Sequence, residues 1–385
     1  MNILLLAPQP FYQERGTPIA VRMLVETLCE AGNKVDLLTY HVGEDISLAG
    51  LKIYRITKLP FIKNIPIGFS WHKLICDTFL IRQMMKLIRR NSYPVVHAVE
   101  ETVFPGAVLK YFFKYKLVYD MDSSMADQLV EKYYFLRFFK KLLSGAEGWA
   151  IGKSDLVVPV CRNLADKVKR YLPENKICIL QDVPFESSSS GYEAENLREL
   201  LGIDGYLALY VGNLEHYQGI DLMLEGMAEV PSVCRCSLVV IGGEKQQIEK
   251  YISKAGKLGL SPRVYFLGSR PLSRLLHYLT QADILVSPRV KGGNTPMKIY
   301  SYLASGTPVL ATKIDAHTQV MDSSCAMLVD STPAAIALGF LELIRDPDLR
   351  EGLGKAGKEL VKNQYTLQVY KKKLLDSYSW VTRAA

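Results

Sequence analysis

The segment from Ala282 to Thr312 (ADILVSPRVKGGNTPMKIYSYLASGTPVLAT) places the strongest constraint on how this chain folds. ADILVSP predicts a short buried strand, because an aliphatic and β-branched run ends at a proline. The glycine loop KGGN follows. Thr295 and Pro296 then predict a helix start, with the threonine as N-cap and the proline in the first turn. We expect that helix to end at Gly306, since Pro308 cannot continue it, and PVLAT predicts the next strand.

Strand, glycine loop, helix start and strand together predict a βαβ unit whose loop and helix N-terminus can form an anion site. Lys291 and Lys298 stand beside that site in the sequence. Taken alone, the segment is explained equally well by an ordinary βαβ crossover whose glycines serve only tight turns.

The chain begins with the same kind of unit. Asn2–Ala7 predicts a buried strand, and a long loop then ends in Gly16-Thr17-Pro18. Thr17 is the expected N-cap and Pro18 the first-turn proline of the next helix. The strand Lys34–Tyr40 follows that helix. This order is typical of a doubly wound sheet, and a length of 385 residues is comfortable for two such domains.

Two further predicted strands, Tyr93–Val103 and Lys116–Asp122, carry polar residues near their carboxyl ends. Ligands of a doubly wound sheet bind at those ends. The side chains expected to face a ligand cleft are therefore His97, Glu100, Glu101, Asp120 and Asp122. Carboxylates there can orient a hydroxyl group. His97 is also a catalytic candidate, although a histidine within a strand is more typical of a satisfied buried side chain than of an acid or base.

Seven cysteines are scattered along the chain, and their odd number predicts a reducing compartment rather than a disulfide framework. Cys234 and Cys236 have no second pair to complete a zinc site, so we expect them to pack at a strand edge. The N-terminal apolar run is too short for a signal peptide, and no uninterrupted apolar stretch is long enough to span a bilayer. We therefore expect a cytoplasmic protein without a bound metal.

The net charge of +8 is concentrated in the first half of the chain, where residues 1–185 hold 25 lysines and arginines against 18 acidic residues. This imbalance favours an anionic partner such as a membrane surface, a phosphate-bearing acceptor or a nucleic acid, although a merely basic surface explains it equally well.

Within that half, LVEKYYFLRFFKKLLSG predicts one helix with an apolar and a basic side. The apolar side is expected to carry Phe135, Phe138, Phe139 and Leu142, and the basic side Arg137, Lys140 and Lys141. Residues 130–143 are thus predicted to make a peripheral contact with the inner face of a membrane. A partly buried helix with a solvated basic edge is the alternative.

Four segments, GTPIA, YVGNLEHYQG, VYFLG and NTPMKIYSYLASGTPV, occur in an order and spacing that resemble the retaining glycosyltransferases of family 4 (glycosyl transferases group 1). The resemblance implies an α/β fold with GT-B architecture. In that architecture two Rossmann-like domains with parallel sheets face each other, and a C-terminal helix crosses back to the first domain. Residues 1–185 and the helix 367–385 would form the acceptor-binding domain, and residues 186–366 the donor-binding domain. The serine-rich segment 186–196 has no periodicity and is the predicted hinge.

The resemblance also implies which residues hold a nucleotide-diphosphate sugar donor. Gly16 and Thr17 match the first-domain loop that approaches the diphosphate, although a simple turn glycine explains Gly16 equally well. Gly268 and Arg270 match the segment that frames the nucleotide base, or an ordinary strand end. The family's diphosphate clamp, G-R-x-x-x-x-K-G, is matched by Gly212, Asn213 and Gln218. The second glycine loop and its helix contribute Arg289, Lys291, Gly293, Asn294, Thr295, Lys298 and Ser301.

Four of these positions depart from the family pattern. Asn213 and Gln218 stand where the family has the arginine and lysine of the clamp. Gly293 and Ser301 stand where it has two glutamates, which lie near the sugar and hold the ribose. Because a charge-assisted hydrogen bond is roughly twice as strong as a neutral one, the clamp is weakened unless other cations restore the charge. The candidates for that role are Arg289, Lys291 and Lys298.

The expected activity is that of a retaining, metal-independent hexosyltransferase that needs no cofactor and does not bind nucleic acid. It would move a sugar from a nucleotide-diphosphate donor to a hydroxyl of a sugar or lipid-linked acceptor, as in surface polysaccharide or glycolipid synthesis. The alternative is a non-catalytic GT-B protein that binds a partner or a nucleotide, because four customary donor contacts are replaced. A dehydrogenase is not expected, since no G-x-G-x-x-G motif follows the first strand.

Overall fold

The computed structural model describes residues 1–14, 16–62, 65, 70–185 and 195–383, which form two compact units. The first unit comprises Met1–Gln181 and Tyr370–Ala385, and the second comprises Asp182–Val369. Most of the predicted hinge, residues 186–194, lies outside the described residues. Each unit is built around one parallel sheet, as the alternation of strands and helices in the sequence predicts.

Parallel strands form the sheet of the first unit: β1 (Asn2–Ala7), β2 (Lys34–Thr39), β3 (Leu51–Arg55), β4 (Val95–Val99), β5 (Lys116–Met121) and β6 (Leu156–Pro159). They are hydrogen-bonded in the order β3-β2-β1-β4-β5-β6. The helices between them are α1 (Gly16–Glu30), α2 (Trp71–Arg90), α3 (Val103–Leu109), α4 (Met125–Lys132), α5 (Lys140–Lys153) and, after β6, α6 (Arg162–Val168). The strand order reverses between β1 and β4, and ligands of doubly wound sheets bind beside such a point.

Burial on both faces explains why these strands read as continuous apolar runs. Every residue of β4 is buried, and in β1 only Asn2 is exposed. A strand covered by helices on both faces has no polar side, so its sequence shows unbroken aliphatic residues rather than an alternation. Burying each large aliphatic side chain contributes about 1.5–3 kcal/mol to folding.

The second unit repeats this design with β7 (Tyr206–Val211), β8 (Cys236–Ile241), β9 (Val264–Gly268), β10 (Ile284–Ser287), β11 (Val309–Thr312) and β12 (Met327–Val329). Their order is β12-β11-β10-β7-β8-β9. The helices are α7 (Leu197–Leu201), α8 (Ile220–Glu229), α9 (Lys245–Lys257), α10 (Leu275–Gln281), α11 (Lys298–Ser305), α12 (Asp315–Thr318), α13 (Pro333–Arg345) and α14 (Pro347–Gln364). The predicted βαβ unit is confirmed as β10, α11 and β11. Its predicted glycine end is confirmed too, because Gly306 caps α11 with φ +78°.

The C-terminal helix α15 (Leu367–Arg383) belongs to the first unit from Tyr370 onwards. Its buried residues are Tyr370, Leu374, Tyr378 and Val381. Their spacing of three and four places them on one face of the helix. The return of the last helix to the first domain, which the family resemblance implied, is confirmed.

The helix starts predicted at the two Thr-Pro pairs are wrong. Helix α11 begins at Lys298, and no side chain caps it. Pro296 instead begins a tight turn in which its carbonyl accepts a hydrogen bond from Ile299 N at 2.9 Å. Helix α1 already includes Gly16, which places Thr17 inside its first turn. An N-cap residue has an extended backbone conformation just before the helix. The path of the preceding backbone therefore decides whether the threonine of a Thr-Pro pair can be an N-cap.

Two predicted strands also need correction. The strand predicted at Tyr93–Val103 ends at Val99, because a 3-10 turn over Glu100–Thr102 leads directly into α3. The apolar run KICILQDVPF (176–185) also predicts a strand that would close this sheet, but in the structure it makes a single bridge, between Val157 and Ile177. In the described part of the first unit, therefore, no further strand follows α6.

The single helix predicted over residues 129–145 is interrupted. Helix α4 ends at Lys132, Tyr133 adopts an extended backbone, a 3-10 helix spans Tyr134–Phe139, and α5 begins at Lys140. Consecutive aromatic residues lose side-chain freedom in an α-helix, which explains why regular helix does not run through them. Of the helices that the structure describes, none combines the length and the apolar character needed to cross a bilayer.

Candidate functional site

Two glycines lie beside a cluster of polar side chains around Lys298 in the second unit, which we call the pocket. Gly212 follows β7 with φ +152°, and a Cβ on it would lie 3.4 Å from Lys298 Nζ and 3.1 Å from the Tyr210 hydroxyl. Gly219 precedes α8 with φ +75°, and a Cβ there would lie 1.9 Å from the carbonyl oxygen of Pro288. Both positions therefore require glycine. At these positions the two loops come close to each other and to the start of α11.

Lys298 is the first residue of α11 and brings its ammonium group into this pocket. Its Nζ lies 3.8 Å from the centre of the Tyr210 ring and donates a hydrogen bond to Gln218 Oε1 at 3.4 Å. Both partners are neutral, and among the described residues no carboxylate forms an ion pair with this lysine. Burial, and then the nearby charge of Arg289, hold the pKa of Lys298 well below its usual value. The pocket therefore favours an anion.

Arg289 is the second cation of the pocket, and its side chain is buried. Its guanidinium lies over the Tyr217 ring at 5.2 Å and donates to the Lys291 carbonyl at 2.6 Å. It also donates to Asn294 Oδ1 at 3.0 Å. A Cβ on Gly292 would lie 2.1 Å from the guanidinium, so glycine is required there. Arg289 thus shapes the glycine loop while its charge adds to the positive potential of the pocket.

The residues that replace the two missing glutamates make hydrogen bonds within the second unit. Ser301 is buried, and its Oγ accepts a hydrogen bond from Phe185 N at 3.2 Å. The Gly293 carbonyl accepts a hydrogen bond from Gln319 Nε2 at 3.1 Å. The hydroxyl of Thr295 is buried too, but it has no hydrogen-bond partner in the described part of the chain. It remains available for a further hydrogen bond.

Three other predicted donor residues lie in loops at the carboxyl ends of β7 and β9. Asn213 Oδ1 accepts a hydrogen bond from Glu215 N at 3.3 Å, so this side chain stabilises its own loop. Gly268 ends β9 with φ +68°. Arg270 Nε pairs with Glu195 Oε2 at 3.1 Å. These residues therefore lie at the carboxyl ends of the strands, which is where parallel sheets of this kind bind ligands.

The first unit gathers a separate set of charged groups at the carboxyl ends of its strands. Glu100 directly follows β4 and adopts φ +52°, a left-handed value that costs roughly 1–3 kcal/mol in a residue other than glycine. Ser123, which follows β5, places its Oγ 3.0 Å from both oxygens of the Glu100 carboxyl group. Glu101 Oε1 pairs with Lys73 Nζ of α2 at 2.5 Å. We call Glu100, Glu101, Asp77 and Lys73 the carboxyl cluster.

The carboxyl cluster holds protons near neutral pH. Burial raises the pKa of Glu100 to about 8, and the charge of Glu101 adds to this effect. Burial likewise raises the pKa of Asp77 to about 7, again with a contribution from Glu101. Asp77 accepts a hydrogen bond from the hydroxyl of Tyr40, which follows β2. A cluster with shared protons can both donate and accept hydrogen bonds, as recognition of hydroxyl groups requires.

His97 does not face this edge of the sheet. It is 0% exposed, its Nδ1 lies 2.7 Å from the Tyr378 hydroxyl of α15, and its Nε2 lies 3.3 Å from Asp120 Oδ2. It is therefore the satisfied buried histidine, not a group that can touch a substrate. Asp122 follows β5 and is partly exposed. A Cβ on Gly16 would meet nothing within 4 Å, so packing within the first unit does not require that glycine.

Sequence reasoning missed four residues beside the predicted glutamates: Tyr40, Lys73, Asp77 and Ser123. Lys73 and Asp77 lie one turn apart on α2, and no local motif marks them, because only tertiary packing brings this helix over the strand ends. Ser123 was recoverable as a polar residue directly after a predicted strand. No group of three or more His, Cys, Asp and Glu side chains in the described ranges is arranged to hold a metal ion.

Two doubly wound units, with a last helix that belongs to the first unit, match the GT-B architecture that the family resemblance implied. Comparisons with known proteins agree. A model of glycosyl transferases group 1 matches residues 194–360, and a model of glycosyltransferase family 4 matches residues 15–181. The two matches follow each other along most of the chain, which therefore belongs to the family 4-like GT-B glycosyltransferases.

Three distantly similar proteins cover the chain almost completely. An uncharacterized glycosyltransferase of Methanocaldococcus jannaschii is 24% identical over 384 residues, covering 95% of this chain and 91% of that protein. Sucrose-phosphate synthase from Thermosynechococcus elongatus superposes with a TM-score of 0.82 at 20% identity and 100% coverage of both chains. Anabaena HepE in complex with UDP and glucose superposes with a TM-score of 0.76 at 14% identity, covering 99% of this chain and 100% of that one. These structural likenesses establish the fold.

Proposed function

We propose that this glycosyltransferase takes its sugar from a nucleotide-diphosphate donor bound in the second unit and transfers it to a hydroxyl group with retention of configuration. The observation that carries the proposal is the placement of Lys298 and Arg289 in one pocket, where Lys298 has no carboxylate partner among the described residues. A diphosphate supplies the negative charge that this pocket favours. The neighbouring fold of HepE, solved with UDP and glucose, supports a donor of this class.

The pocket suits the chemistry of the leaving group. Negative charge builds on the diphosphate as the glycosidic bond breaks, and preorganised cations in a partly dry site stabilise it more strongly than water does. Lys298 supplies such a charge, and the Thr295 hydroxyl supplies a further donor. In a front-face substitution the departing phosphate oxygen takes the acceptor proton, so no protein nucleophile and no metal ion are needed.

The carboxyl cluster of the first unit supports a hydroxyl-rich acceptor. Protonated Glu100 can donate a hydrogen bond, and the Glu101 carboxyl group, which pairs with Lys73, can accept one. Asp122, partly exposed after β5, is a further group that can orient an acceptor hydroxyl. We assign these three side chains to acceptor positioning and leave His97 out of that role because it is fully buried.

A lipid-linked acceptor is supported by an exposed apolar segment, which we call the aromatic surface. It consists of Tyr134, Phe135, Phe138, Phe139 and Leu142, each between 53% and 89% exposed. Arg137, Lys140 and Lys141 among them are exposed too. Large apolar side chains interleaved with basic ones suit an anionic membrane interface. We therefore propose that the enzyme works at such a surface, as in glycolipid or surface-polysaccharide synthesis.

A second candidate function is a non-catalytic protein that binds a nucleotide or a partner. The observation that favours it is the use of Ser301, at the position of the ribose-binding glutamate, to hold the backbone of Phe185. Nucleotide binding would then persist without sugar transfer.

Calorimetric titration with UDP-glucose, GDP-mannose and ADP-glucose tests the proposal. Binding of one donor in the micromolar range, followed by transfer to a sugar or lipid-linked sugar acceptor, is the expected result. The anomeric configuration of the product, read by NMR, tests retention. Binding without release of the nucleotide diphosphate over a broad acceptor screen would support the non-catalytic candidate. No binding of any of the three would overturn the proposed donor site and would leave only a non-catalytic protein that binds a partner.

A further inference from the structure

We propose that Lys298 replaces the missing arginine–lysine clamp and that it does so by accepting a proton when the donor diphosphate binds. This inference rests on the proposed function, since it concerns the same site. It adds that the charge of the clamp is created by binding rather than being present beforehand.

The position of Lys298 supports the replacement. Its Nζ lies 3.4 Å from Oε1 of Gln218, the residue that stands at the family's clamp lysine. It also lies 3.4 Å from the point where a Cβ on Gly212 would sit, beside the strand end that the clamp motif follows. The ammonium group therefore reaches, from the start of α11, the place where the clamp's charge is missing. Lys298 is only partly buried overall, so a ligand can contact it.

The surroundings of Lys298 favour the neutral amine in the free protein. Burial removes water from the charged form, and the positive charge of Arg289 repels it. Among the described residues, the rings of Tyr210 and Tyr302 and the side chain of Gln218 offset these effects, and all three are neutral. A bound diphosphate reverses the balance by placing negative charge beside the amine. The pKa of Lys298 therefore rises on binding, and between the free and bound values the complex takes up a proton.

The groups that face Lys298 are Tyr210 of β7, Gln218 before α8, Arg289 after β10, Tyr302 of α11 and His317 of α12. Burial raises the pKa of both tyrosines and lowers the pKa of His317 to about 4. The tyrosines and the histidine are therefore neutral throughout the pH range of an assay, while the arginine stays charged. Of these groups, Lys298 is therefore the one whose charge we expect donor binding to change.

The test is calorimetry of donor binding by the full chain in two buffers with different enthalpies of ionisation, at several pH values. UDP-glucose is the first probe, followed by GDP-mannose and ADP-glucose. A nucleotide-sugar is used because its diphosphate lacks the terminal phosphate group that titrates near pH ~6. The wild type is expected to take up protons on binding, to a limit of about one per donor, and its affinity is expected to fall by up to about tenfold per pH unit as the pH rises.

Two substitutions distinguish the effect of a positive charge at position 298 from the effect of proton uptake. Lys298→Arg carries a permanent charge, so it should bind without proton uptake and with an affinity that no longer depends on pH. Lys298→Met should weaken binding roughly 10- to 100-fold, as expected for a lost hydrogen bond to a charged group. Lys362→Met is the matched control, since this lysine of the same unit has a side chain that is 73% exposed, and it should change neither quantity.

The outcomes distinguish this inference from the proposed function. Donor binding by the wild type without linked protons, or Lys298→Arg with unchanged proton uptake, overturns the inference and leaves the donor site standing. Failure of the wild type to bind any of the three nucleotide-sugars overturns both. If Lys298→Met does not fold, the comparison of the wild type with Lys298→Arg still decides the question.

Discussion

The aromatic surface of the first unit gives a quantitative test of membrane contact. Phe138 is 89% exposed, so nearly all of its side chain is in water when the protein is free. Moving a phenylalanine side chain from water into an apolar phase contributes about 1.5–3 kcal/mol. Phe138→Ser should therefore weaken partitioning to vesicles by about 2 kcal/mol, which is a factor of roughly 30. Neutralising Lys140 or Lys141 should cost about 1 kcal/mol each, and only on anionic vesicles.

Co-sedimentation with vesicles of phosphatidylglycerol and phosphatidylcholine, compared with phosphatidylcholine alone, measures both effects. Val233→Ser is the matched control, because Val233 is 84% exposed on the second unit and lies outside the aromatic surface. It should leave the partition coefficient unchanged. The reasoning is refuted if the wild type does not bind anionic vesicles, or if the two serine variants lose binding to the same extent.

The carboxyl cluster and the pocket glycines give two further predictions. Since the pKa of Glu100 rises from 4.5 to about 8 on folding, its ionisation destabilises the protein as the pH rises between these values. Glu100→Gln should therefore be more stable than the wild type by a few kcal/mol at pH ~9 and equally stable at pH ~4, as measured by urea denaturation; an equal gain at both pH values would contradict the raised pKa. Gly219→Ala should lower the free energy of unfolding by about 1–3 kcal/mol more than Gly202→Ala does. Both glycines have positive φ, but only a Cβ at position 219 would clash with the backbone, at 1.9 Å. Equal urea midpoints for the two alanine variants would argue against that clash.

Several strands of this fold could be predicted from the sequence because burial on both faces requires a continuous run of apolar residues. The bounds of β1 and the start of β2 follow directly from the aliphatic runs at Asn2–Ala7 and Lys34–Tyr40. Helix ends at glycine were also predictable, as Gly306 shows. Helix starts were not, because an N-cap depends on the path of the preceding chain. At Thr295 that path leads through a tight turn at Pro296 and leaves the threonine hydroxyl without a partner in the described part of the unit.

The residues around Lys298 in the second unit were predictable to a greater extent than the carboxyl cluster of the first. Gly212, Gln218 and Lys298 meet in the structure, and all three lie in segments that resemble the family's donor-site motifs. The carboxyl cluster depends instead on α2, a long helix whose crossing over the strand ends leaves no trace in local sequence. Lys73 and Asp77 were invisible for that reason, even though they determine the charge around Glu100 and Glu101.

Groups whose placement is unfavourable for stability help to distinguish an active transferase from a non-catalytic relative. A protein that needed Lys298 only for structure would be as stable, or more stable, with an apolar side chain of similar size, since burying an amine beside Arg289 without an anion is unfavourable. The first unit maintains a comparable arrangement in Glu100, a carboxyl group that is held at a left-handed backbone angle with its pKa raised to about 8. Strain and perturbed protonation of this kind cluster at functional sites. Both lie at the carboxyl ends of parallel strands, which is the ligand-binding edge of such sheets. Loss of the family's clamp and glutamates is therefore better explained by a rearranged site that still binds charged and hydroxyl groups than by a site that has lost its function.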